Sequence, residues 1–266
     1  MTAPSERQAS RRAQARLVAV GLALVSVVVV GVALIVAHHR TEPRVASVAP
    51  ANPSKGDVAA ERVLATRPMT WLPAVAAQPH PLTTSTAGSP VVLPSPSTQD
   101  HEWVPKSFPR SAEGALAQLV VLDETGAAGG DPDSYARAYA EIADAGAPPV
   151  AESALHTVLS HFRQAAGIAA GEVKPGLSVR FDVTQGLIKG TADGGSYVVA
   201  CVLGELSTDA HGYGANLGIG DCQALRWTAS GWRVSDGPRA AYAPCAWPGS
   251  AEAIAAGYRT LVRSDR

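Results

Sequence analysis

Apolar and polar positions change their spacing four times along the chain. Residues 17–37 run for 21 positions without a charge, and Ser26 is their one polar side chain. As a helix rising about 1.5 Å per residue, this run spans about 31 Å, the thickness of a bilayer core. Lipid offers no partner to open backbone groups, so a helix is required there. Residues 38–109 show no sustained period beyond a possible one or two helical turns at Ala-Ala-Glu-Arg-Val-Leu, 59–64. From residue 110 the period is helical. Ser111 caps a stripe of Ala115, Leu116, Leu119, Val120 and Leu122, which Gly129-Gly130 breaks. Asp131-Pro132-Asp133 supplies a cap, a first-turn proline and an acid at the helix dipole, ahead of Tyr135, Tyr139 and Ile142. Gly146 and Pro148-Pro149 end that helix. A third carries Leu155, Val158, Leu159, Phe162 and Ala166 on one face.

After residue 176 the period drops to two. Leu177, Val179, Phe181 and Val183 alternate with Ser178, Arg180 and Asp182, a half-buried strand. Residues 196–206 are apolar on both faces, which predicts a central strand, and Asp193-Gly194-Gly195 before them fits a hairpin turn. Residues 215–228 read as another long strand. Ala229-Ser230-Gly231 turns it into Trp232-Arg233-Val234, with Trp227 and Trp232 flanking the turn. Ser250 is expected to cap a last helix carrying Ile254, Ala255, Tyr258, Leu261 and Val262 along one side. Three helices followed by a curved meander of about four long strands is an α+β plan.

The flanks orient the apolar run. Arg7, Arg11, Arg12 and Arg16 precede it against Glu6, whereas Arg40 and Arg44 follow it around Glu42. The excess lies on the N-terminal side, so the N-terminus is expected in the cytoplasm and the rest outside. A cleaved signal peptide is the competing reading. The run exceeds a typical h-region and no small-x-small site closes it. Arg11-Arg12 fits an ordinary positive flank better than a twin-arginine signal, since Ala-Gln-Ala-Arg follows. The division expected is a cytoplasmic basic tail (1–16), a transmembrane helix (17–37), a Pro/Ser/Thr/Ala-rich extracytoplasmic linker (38–109) and an extracytoplasmic α+β domain (110–266). Twelve of the 20 prolines fall between residues 40 and 109, which predicts a semi-extended spacer. Trp71 and Trp103 stand out there as apolar anchors.

Charge and cysteine content narrow the function. The chain's formal net charge is −1, and residues 110–266 hold 12 basic and 17 acidic side chains, so direct binding of nucleic acid is not expected. Three cysteines without a C-x-x-C pair exclude a disulfide-dense mini-domain, a zinc ribbon and a redox dithiol.

The element order, with its closing Trp-rich hairpin, resembles the cone-shaped nuclear-transport-factor-2-like fold. The whole chain resembles the integral membrane proteins of actinobacterial conjugative and integrative elements. The resemblance lies in residues 11–37, Trp103-Val-Pro-Lys-Ser-Phe-Pro, residues 115–120, Gly186-Leu-Ile-Lys-Gly, Val198-Val-Ala-Cys201, Asp221-Cys222-Gln223, and Trp247-Pro-Gly with Ala256-Gly-Tyr-Arg. It covers the anchor and most of the outer domain but not the linker, and none of these stretches is a catalytic motif. The resemblance implies the bitopic scaffold subunit of a type IV secretion system. Such a subunit is structural, has no cofactor, contacts the other membrane subunits of a transfer apparatus and can self-associate. Single-pass proteins associated with actinobacterial lipid importers share the plan, which keeps a membrane-tethered binding or accessory role in a lipid-import or cell-wall system open.

Few residues suggest chemistry. Cys201 and Cys222 fall on successive strands outside the membrane, where antiparallel neighbours can be bridged. Cys245 in Pro244-Cys-Ala-Trp-Pro248 is then odd, a free thiol or an intermolecular link, and a pairing that uses it stays open. His211-Gly212 with Cys222 superficially resembles an L,D-transpeptidase, but that family has Ser/Thr-His-Gly directly before its cysteine, where Ile219-Gly220-Asp221 stands here. His156 and His161 lie five apart, off the i, i+4 spacing of a metal pair, and His38-His39 and His101-Glu102 stand apart from other ligands. Gly212, Gly214, Gly218 and Gly220 lack a phosphate-loop pattern and are expected to mark bulges or a bend. Asp182 and Asp221 are expected to be solvated strand residues. No catalytic, cofactor or metal residue is expected. An alkaline phosphatase fused after Arg266 will be active and a green fluorescent protein there dark; the reverse pattern overturns the orientation.

Overall fold

The structure, a computed structural model, describes residues 56–97, 103–210 and 212–264. The expected basic tail, transmembrane helix and first part of the linker lie outside the described residues, as do His101, Glu102 and His211. The fold is α+β. Helices α1 (Val58–Thr66), α2 (Ala112–Ala127), α3 (Pro132–Ile142), α4 (Ala154–Ala166) and α5 (Ala251–Ala255) pack on a curled sheet. Its strands are β1 (Val91–Leu93), β2 (Leu177–Ala192), β3 (Tyr197–Ala210), β4 (Tyr213–Thr228), β5 (Gly231–Val234) and β6 (Arg259–Arg263).

The described strands lie in the order β1-β6-β2-β3-β4-β5. All neighbours are antiparallel except β1 and β6. Strand β2 carries register shifts between Val183 and Gln185 and between Ile188 and Gly190, and such irregularities bend and twist a ladder. Strand β3 is buried on both faces. Val198, Ala200, Val202 and Leu206 join the core under α2, α3 and α4. Tyr197, Val199, Cys201 and Leu203 join a second core closed by Ala65 of α1, Ala240, Ala246, Ala253 and Tyr258.

The caps form as the sequence indicates. Ser111 Oγ accepts from Gly114 N, Asp131 Oδ1 from Asp133 N and Ser250 Oγ from Ala253 N. Cys201 and Cys222 are direct register partners on β3 and β4, their Cα atoms 4.1 Å apart, and they form a disulfide. Trp227 and Trp232 are also register partners, with ring centroids 5.4 Å apart, and Trp232 Nε1 donates to Pro109 O at 2.8 Å.

The structure departs from the expected elements in three places. The last helix stops at Ala255. Gly257 takes φ +95°, and residues 259–263 then form β6 beside β1 and β2. The glycines of β4 mark no bulge, since its register with β3 is unbroken. A Cβ on Gly218 would stand 1.8 Å from Ala246 O, and one on Gly220 would stand 2.6 Å from Pro244 O. They admit a second backbone at close range. Residues 56–97, read as part of an extended spacer, lie along the domain. Helix α1 is held by the Arg226–Glu61 ion pair at 2.5 Å and by Lys189 Nζ, which donates to Ala65 O at 2.9 Å. Burial, then the nearby Arg67 charge, pushes Lys189 down to about 8. Further along, Ala241 N donates to Ala65 O, Trp247 N to Ala76 O and Thr83 N to Gly249 O. Between its short helical turns the segment is irregular, and its free carbonyls and amides bond to the domain.

Replacing both Cys201 and Cys222 with Ala will lower the unfolding free energy by about 3 kcal/mol, the loop-closure term for a bridge of this span. Urea titration reads it, and an unchanged midpoint would mean that the bridge does not constrain the unfolded chain.

Candidate functional site

Strand β5 pairs with β4 only from Leu225 to Thr228. Ser235 N donates to Ala224 O at 2.8 Å just beyond it, and further along the chain at 243–245 lies beside Gly220 of β4. The gap is closed by sulfur, because Gly220 N donates to Cys245 Sγ at 3.4 Å. Between this segment, residues 66–72, the start of α4 and β4 lies a cleft of about 500 Å³. Its wall is mainly apolar. Trp71 stands at it 64% exposed, so a large aromatic surface is left in water.

Behind the cleft lies a sealed polar network. Tyr135 OH donates to Asp123 Oδ1 at 2.9 Å. Ser153 Oγ lies 3.1 Å from Tyr135 OH and 3.5 Å from Asp221 Oδ1. Gln223 Nε2 donates to Asp221 Oδ2 at 2.7 Å. Asp221 also accepts from the backbone amides of Leu155 and Ala154, so a carboxyl from β4 caps α4. Asp123 and Tyr135 are fully buried and Asp221 is 1% exposed. Burial pushes Asp221 up, against the bonds from Gln223, Leu155, Ala154 and Ser153 that pull it down. Burial and then the Asp221 charge push Asp123 well above the usual carboxylate range, while Tyr135's bond pulls it down. Asp123 Oδ2 has no hydrogen-bond partner, which a charged carboxylate would tolerate poorly. The network ties α2, α3, α4 and β4 together.

The expected residues fall in different places. Cys201 and Cys222 are joined, so Cys222 offers no thiolate in this state. Cys245 keeps its thiol in the cleft wall, and burial pushes that thiol up. Asp182 is exposed beside Arg180, as expected of a solvated strand residue. Asp221 is the opposite and corrects that expectation, because its side chain faces the helices and not water. His156 packs beside Tyr135, with ring centroids 6.4 Å apart. No cluster of three metal-binding side chains occurs among the described residues. Trp103 stacks against the domain, with the Arg137 guanidinium 5.5 Å from its ring centroid. Sequence reasoning missed Asp123, Ser153, Gln223 and Arg239. The one signal for Asp123 is an acid set directly after the stripe that ends at Leu122.

No protein-family model, curated protein or solved structure matches the chain.

Asp123 has a raised folded pKa, so its stabilising contribution is complete below the unfolded value of about 4 and is lost as pH rises towards the folded one. Asp123→Asn cannot ionise and keeps an acceptor for Tyr135. As pH rises above the unfolded carboxylate range it will lose less stability than the parent chain. Urea midpoints above that range check this, and an identical pH slope would refute the assignment.

Proposed function

We propose that this chain is a non-enzymatic, single-pass membrane scaffold of a conjugative-transfer apparatus of type IV secretion kind. Its outer domain would be a nuclear-transport-factor-2-like cone that binds other membrane subunits and further copies of itself. The observation that carries the reading is the Cys201–Cys222 disulfide in the middle of the sheet, downstream of a 21-residue uncharged run. Such bridges persist outside the cytoplasm, which fits an anchored domain facing outward. Sealing of the titratable network supports a binding role over a chemical one. The sheet edge offers a surface for it: Val92 and Val262 are register partners on β1 and β6, and they are 57% and 44% exposed.

The apolar cleft favours a second reading, a membrane-tethered binding or accessory protein of a lipid-import or cell-wall system. In-cell crosslinking of the full-length chain separates the two. The scaffold reading expects a translocation ATPase or other conjugation membrane subunits in the captured material, and loss of transfer on deletion. Capture of lipid-transport or wall-synthesis proteins, with transfer intact, overturns it.

A further inference from the structure

One charged side chain stands in the wall of the cleft, and no carboxylate joins it there. Arg239 lies with its guanidinium 3.8 Å from the Tyr242 ring centroid, and its Nη1 donates to Ala240 O at 3.0 Å. The acid it meets, Glu152 Oε2, is 3.9 Å from Nε and half exposed, a weak pairing that leaves most of the cation's charge uncompensated. Around Arg239 the wall is built from Pro68, Trp71, Leu72, Ile219 and Pro244. A volume of about 500 Å³ is that of a site for one small ligand.

The chemistry selects among occupants. An extended peptide would bring backbone donors and acceptors that an apolar wall leaves unpaired, at a cost for each. The edge amide of Gly220 is already bonded to Cys245, so it offers no rung for an added strand. An alkyl chain needs no such partners, and one anionic head matches one cation. Chain connectivity points the same way. Residues 66–72 form the cleft wall nearest in sequence to the apolar run, and eighteen residues, 38–55, separate that run from the first described residue. Eighteen residues reach at most about 60 Å.

We propose that the cleft takes up the apolar chain of an anionic membrane amphiphile whose head pairs with Arg239. This rests on the membrane-anchored reading above. The full-length chain in phosphatidylcholine vesicles is irradiated with a chain-diazirine palmitate or the matching hexadecanol, and the labelled peptides are mapped. The palmitate probe will label 66–72 and 239–245 in preference to the alcohol, by the factor of about five that a partly exposed ion pair confers. Arg239→Gln will abolish the preference and Arg239→Lys will keep it, both with an unchanged unfolding midpoint. Labelling of 17–37 without labelling of the cleft, or equal labelling of the cleft by both probes, overturns the proposal. A labelled cleft with 17–37 unlabelled overturns the anchor, and with it the membrane as the ligand's source.

Discussion

Strand β3 has no solvent face. Its residues from Tyr197 to Leu203 are apolar or small on both sides and wholly buried, so the fold has to supply two covers for one sheet. Each large apolar side chain left open on either face would forfeit about 1.5–3 kcal/mol. Helices α2, α3 and α4 form the first cover from contiguous sequence. The second comes from two distant stretches, α1 with the chain behind it and residues 236–258. Neither forms a strong element alone; α1 is 9 residues long and α5 only 5. Both are held by tertiary contact, Arg226–Glu61 and the Lys189 ammonium on one side, and the close approach to Gly218 and Gly220 on the other.

That dependence explains what the sequence reveals and what it hides. Features set within a few residues are legible: the caps at Ser111, Asp131 and Ser250, the alternation from Leu177 to Val183, and the central place of β3. The Cys201–Cys222 bridge is legible because both strand assignments hold. Features set by distant partners are not. Residues 259–263 have apolar positions that also suit a helix, and only the β1 and β2 partners decide for a strand. The proline count of residues 56–97 says nothing of the domain surface that receives them, nor of the helical turns at Val58–Thr66 and Ala74–Ala77. Asp221 reads as solvated because strand alternation assigns a face, and nothing local shows that the N-terminus of α4 waits on that face.

The candidate site was less legible than the fold for the same reason. Its wall combines residues 66–72, α4, β4 and 239–245, four stretches with no shared motif. Cys245 drew attention as an odd thiol, yet its place in the structure is to accept an edge amide. Arg239 carries no sequence signal at all; its importance comes from being the one charge in an apolar wall.

Neighbouring residues of β4 divide the closed chemistry from the open cleft. Successive side chains on a strand point to opposite faces. Asp221 therefore turns toward Ser153 and the α4 amides, while Gly220 turns toward Pro244 and Tyr258. A slip of one residue would drive a carboxylate into the apolar second cover and put a glycine where α4 needs its cap. The Cys201–Cys222 bridge sits one residue further along, on the same face as Gly220, and fixes the register at that point. The disulfide thus does more than constrain the unfolded chain. It holds the pairing that keeps Asp221 sealed and the 239–245 wall of the cleft seated on the strand edge.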